Sequence, residues 1–103
     1  MLLLDDEDEL PAFPQEEEQA LAFELGIYGL SKIDEAIVNN TKANWSKVAR
    51  VISEAITAGG LNYSEATINL HTRRVMLLVE SGALESQGNL KKPRFSEVRI
   101  SNV

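Results

Sequence analysis

Apolar residues recur at three- and four-residue steps along most of the chain and turn to alternation only near its end. That pattern predicts helices followed by strands. The clearest stripe is Trp45, Val48, Ala49, Ile52, Ala55 and Ile56, opened by Asn44 as N-cap and closed by Gly59-Gly60. A second stripe, Ile68, His71, Val75, Leu78 and Val79, follows the cap Ser64 and runs to about Ser81 before Gly82. Leu70 and Leu77 project from nearly the opposite side of that helix, with Arg73 between them. Earlier in the chain, Pro14 and three acids in the first turn, Glu16, Glu17 and Glu18, predict a helix from near Gln15 to near Tyr28. Its apolar residues, Ala20, Leu21, Phe23, Leu25 and Ile27, exceed what one narrow stripe needs. Ser31 with Asp34 forms a capping-box-like pair for a short further helix ending at Asn39-Asn40, whose buried side is Ile33, Ala36 and Ile37.

The last quarter reads as strands. Ala83-Leu84-Glu85 and Arg94 to Ile100 flank turn chemistry at Gln87-Gly88-Asn89, and Pro93 fits only an edge or loop position. The expected fold is mainly α: three to four helices followed by a C-terminal β-hairpin, the element order of a winged helix. Its core should hold Ile37, Trp45, Val48, Ile52, Ile56, Ile68, Val75, Leu78, Leu84 and Val98. Residues 1–14, with Pro11 and Pro14, read as an acidic extended lead in which Leu2 to Leu4 suit a short strand. Residues 15–103 read as one domain, which the 103-residue length accommodates.

Charge adds what periodicity does not. Residues 1–36 carry eleven acids against one base, a net of −10, and residues 37–103 carry nine bases against five acids, a net of +4. The chain total of −6 therefore hides an acidic front and a basic back. There is no cysteine, one histidine and no apolar run long enough to cross a bilayer. No disulfide framework, thiolate metal site or cysteine nucleophile is available. The composition favours a bacterial-type cytosolic protein with no cofactor, no metal and no membrane partner.

Three strings have a more specific look: Trp45-Ser-Lys-Val-Ala-Arg-Val-Ile-Ser-Glu-Ala, Arg74-Val-Met-Leu-Leu-Val-Glu-Ser-Gly-Ala-Leu-Glu-Ser-Gln-Gly-Asn-Leu, and Arg94-Phe-Ser-Glu-Val-Arg-Ile. Over roughly residues 33–100 the chain resembles a bacterial winged-helix-like family of unknown function. Its members are small single-domain proteins or the C-terminal domain of two-domain uncharacterised proteins. The resemblance implies the fold and supplies no catalytic residues. The acidic lead lies outside it.

Two binding surfaces compete. The front end, Asp5, Asp6, Glu7, Asp8, Glu9, Glu16, Glu17 and Glu18 with Leu10 and Phe13 as apolar anchors, suits a cationic protein, for example a basic nuclease toxin held by an immunity protein or antitoxin. The back end, Arg73 and Arg74 with Lys91, Lys92 and Arg94 at the hairpin tip, suits the phosphates of DNA in a transcriptional regulator, with Asn69, Thr72 and Met76 also facing outward. Leu70 and Leu77 beside Arg73, the acids Glu65 and Glu80, and an isoelectric point near 4.7 weigh against the second surface. Glu97 and Arg99 are expected to pair with Arg74 and Glu85 at the hairpin base. His71, on a core-facing stripe without a second histidine or a serine partner, reads as a packed residue rather than a base. The leading expectation is a non-enzymatic protein-binding module, and the alternative is a DNA-binding winged helix.

Overall fold

The structure, a computed structural model, describes residues 9–101. The suggested strand at Leu2 to Leu4 and the acids Asp5, Asp6, Glu7 and Asp8 lie outside the described residues. Three helices, α1 (Glu16–Asn39), α2 (Val48–Gly59) and α3 (Glu65–Glu80), combine with three short strands, β1 (Ser46–Lys47), β2 (Leu84–Gly88) and β3 (Ser96–Ile100). The fold is α-rich with C-terminal strands. The sheet is antiparallel in the order β1-β3-β2, so the last strand is the central one.

The two helices expected between residues 15 and 40 are one element with a kink. The break falls at Gly26 (φ 65°, ψ −173°) rather than at Ser31, because only glycine takes that conformation without a Cβ penalty. The bend folds Leu25 over Gly29, where a Cβ would stand 2.7 Å from that of Leu25. Past the kink the helix runs to Asn39. There the Asn40 side-chain amide donates to the Ala36 carbonyl, and the Thr41 hydroxyl donates to that of Ile37.

Helix α2 starts at Val48 and not behind Asn44, since Ser46 and Lys47 are drawn into the sheet opposite Val98 and Glu97. Trp45 consequently lies beside the sheet, half-buried, with the Arg99 guanidinium 4.4 Å from its ring centre. Its expected place in the core is corrected on that ground. Leu78 is also only partly buried. Ser64 caps α3 as the sequence predicts, its hydroxyl accepting from the Thr67 N–H.

The core runs between the second half of α1, α2, α3 and one face of the sheet. Ile37, Val48, Ile52, Ile56, Ile68, Val75, Leu84 and Val98 meet there, joined by Leu10, Ile33, Val51, Ala55 and Leu70. Leu10 arrives from outside the helical layer. Its N–H donates to the Lys91 carbonyl in the β2–β3 connection, and its side chain is only 4% exposed. Among the described residues ahead of α1, Leu10 and Pro11 are thus held against the body.

Two glycines separate backbone strain from steric collision. At Gly88 φ is +84° and a Cβ would stand 2.5 Å from the Phe95 carbonyl oxygen, whereas at Gly60 φ is +70° with open space around it. Gly88→Ala should lower stability in urea unfolding by about 2–3 kcal/mol, and Gly60→Ala by about 1 kcal/mol.

Candidate functional site

The sequence-predicted site residues divide by where α1 and the segment before it come to lie. That segment crosses α3. The Arg73 guanidinium donates through Nε to Glu18 at 2.5 Å and through its terminal nitrogen to the Pro11 carbonyl at 2.8 Å. Glu18 is 2% exposed. A carboxylate so deeply placed is costly without a partner of this kind, and it presents nothing to solvent. Beyond the kink, Arg74 makes a two-pronged contact to Asp34, at 2.8 and 2.7 Å. The hydrogen bonds that Arg74 donates to Asp34 hold its guanidinium firmly charged, against a smaller opposing effect of burial.

Both candidate surfaces change as a result. Arg73 and Arg74 are consumed inside the protein and are not displayed to phosphates. Asn69 and Thr72, expected on the outer side of α3, are buried, Asn69 beside Pro11 and Glu18. On the acidic side, Glu18 and Leu10 are withdrawn: one is an internal ion-pair partner and the other a core residue. Glu9, Glu16 and Glu17 are exposed, and so is Phe13 at 81%. Lys91 and Arg94 are exposed and Lys92 half-buried around the turn Pro93–Phe95.

Residues with no role in the expected site emerge on α1. Phe23 is 90% exposed, Ile27 91% and Tyr28 75%, while Leu21 and Leu25 of the same helix pack toward the core. Glu24 stands among them, and Lys32 lies 5.4 Å from the Tyr28 ring centre and 3.7 Å from Glu35. The signal for this surface was the surplus of apolar residues between positions 20 and 28, more than one buried stripe absorbs. A groove of about 330 Å³ between α1 and α3, lined by Ala22, Leu30, Leu70 and Leu77, adds apolar surface near it.

The hairpin cluster is realised in part. Glu85 and Arg99 face each other in register, and Arg99 Nε donates to Glu85 at 2.8 Å. Glu97 accepts instead from the Gln87 amide, and Arg74 is absent from the cluster because Asp34 holds it.

His71 is 1% exposed, with Nδ1 2.7 Å from the Thr67 carbonyl. Burial pushes its pKa below the ordinary 6.5, outweighing the Thr67 hydrogen bond and the pull of Asp34. Among the described residues no group of three or more His, Asp or Glu is placed to hold a metal ion, and no helix is long and apolar enough to cross a membrane. No family model matches the chain, and neither does any curated protein or solved structure.

Two outcomes follow from this geometry. Arg73→Met strands the Glu18 charge in the interior and should cost about 3 kcal/mol in urea unfolding, while the double change Arg73→Met with Glu18→Leu should recover most of that loss. Separately, an unfolded chain binds a proton at His71 more readily than the folded one. Stability should therefore fall as pH is lowered through 6.5, and His71→Phe should flatten that part of the stability–pH curve.

Proposed function

We propose that the chain is a non-enzymatic protein-binding module of winged-helix type that engages a cationic partner. In its most specific form it is an immunity protein or antitoxin occluding a basic nuclease. The observation that carries this reading is the near-complete exposure of Phe23, Ile27 and Tyr28 on one helix that also displays Glu16, Glu17, Glu24 and Glu35. Large apolar side chains in water are costly unless a partner covers them, and acids around them speed encounter with cations and reject anionic surfaces. A second copy is a poor occupant, because the chain carries −6 and self-pairing of this helix sets acid against acid. A nuclease fits because it must hold phosphates and so presents a basic surface. The winged-helix reading is supported by the element order α1-β1-α2-α3-β2-β3 and by a sheet ordered β1-β3-β2.

The second reading, DNA binding, is favoured by Lys91 and Lys92 on the β2–β3 connection. It now lacks Arg73 and Arg74, whose guanidiniums face carboxylates. The two readings separate experimentally. The immobilised chain should retain, from its native cell, a basic protein whose nuclease activity the free chain suppresses. Phe23→Ser with Ile27→Ser should weaken that complex at least a hundredfold without moving the melting temperature, since both residues are exposed. Glu16→Gln, Glu17→Gln and Glu24→Gln together should mainly slow association and flatten its salt dependence. Unchanged binding by both variants would overturn the reading. So would salt-sensitive retardation of duplex DNA that disappears in Lys91→Ala with Lys92→Ala.

A further inference from the structure

The chain ahead of α1 meets the β2–β3 connection at a fixed point. In that connection the Lys91 N–H donates to the Asn89 side-chain oxygen at 3.1 Å and the Lys92 N–H to the Asn89 carbonyl at 2.9 Å. The Phe95 N–H closes the turn on the Lys92 carbonyl at 2.8 Å. Onto this turn the Leu10 N–H donates to the Lys91 carbonyl at 2.9 Å, with the Leu10 side chain buried and the Pro11 carbonyl held by Arg73. We propose that Asp5, Asp6, Glu7, Asp8 and Glu9 serve the Lys91–Lys92 turn as a built-in counter-charge that keeps nucleic-acid phosphates off it. The proposal is independent of the partner reading above, which rests on the exposed side of α1.

Connectivity alone brings the charges to the turn. Each residue advances at most about 3.6 Å, so Asp8 stands within about 8 Å of Leu10 and Asp5 within about 18 Å, whatever path the chain takes. The screening length is about 10 Å at 0.1 M salt and about 30 Å at 0.01 M. At low salt all five acids therefore act on the turn, and at higher salt the nearer ones dominate. Glu9, one residue from the anchored Leu10, is exposed.

Charge balance sets the effect. Lys91 is exposed and Lys92 half-buried, and among the described residues no carboxylate forms an ion pair with either. Two adjacent ammoniums on a fixed turn attract phosphates when nothing opposes them. The carboxylates of residues 5–9 outnumber these two lysines and reverse the sign of the local field. Because they are tethered at the turn itself, their effective concentration there is high, and a free polyanion competes against it.

The test is the affinity of the full chain for a short fluorescent DNA duplex, read by anisotropy at about 20 mM salt. Asp5→Asn, Asp6→Asn, Glu7→Gln, Asp8→Asn and Glu9→Gln together should raise that affinity about tenfold or more. Adding Lys91→Ala with Lys92→Ala to that variant should remove the gain. A second variant keeps every charge and moves four of them away, through a Gly-Ser linker of about twenty residues between Asp8 and Glu9, spanning about 25 Å on average. It should bind DNA more tightly than the intact chain and less tightly than the neutralised one. Both variants leave Leu10 and Pro11 in place, so the fold is retained. Unchanged affinity in the neutralised chain, unchanged affinity in the linker chain, or a gain that survives Lys91→Ala with Lys92→Ala would overturn the proposal.

Discussion

The contact on which the arrangement of the front half depends is the ion pair between Glu18 and Arg73, closed by the Pro11 carbonyl. It ties α1 and the segment before it to α3 across 55 residues of sequence. Two charges leave water together, and each is tolerable only because the other is there. With that pair made, Leu10 reaches the core and its N–H reaches Lys91, so the segment spans from α3 to the β2–β3 connection. The satisfaction is incomplete. Among the described residues Glu18 Oε1 and Asn69 Oδ1 have no hydrogen-bond partner, although both residues line the same cleft. The cover is thus specific in its charge pairing and less finished in its hydrogen bonding than a core of aliphatic residues.

The same contact redistributes charge. An acidic front and a basic back, read along the sequence, suggest two opposed surfaces. In three dimensions Glu18 and Asp34 neutralise Arg73 and Arg74, so each sign cancels part of the other in the interior. What remains outward on α1 is acid interleaved with large apolar side chains. Around the hairpin, lysines remain with the stack of Trp45, Arg99 and Glu85. The outward charge of α1 is therefore predominantly negative.

The kink at Gly26 decides which apolar residues α1 keeps and which it displays. A straight 24-residue amphipathic helix would need one continuous stripe. Breaking the helix lets Leu21 and Leu25 serve the body before the bend and Ile33 and Ile37 after it. Phe23, Ile27 and Tyr28 are left outside around the break. His71 is buried beside the cleft that α1 forms with α2 and α3.

Read alone, the sequence determined the elements whose cause is local. The stripe and Gly59-Gly60 stop of α2, the Ser64 cap and length of α3, the glycine turn at Gly88 and most of the core follow from periodicity, capping and backbone freedom, which act within a few residues. Tertiary structure decided everything that required knowing a distant partner. Ser46 and Lys47 became a strand because β3 offered them hydrogen bonds some fifty residues away, and Trp45 left the core with them. Leu70 is buried because α1 packs against α3, and nothing in its own helix announces that. Arg73 and Arg74 look identical to exposed cations in one dimension. Charge sets no direction along a chain, and only the packing of α1 against α3 turned them inward.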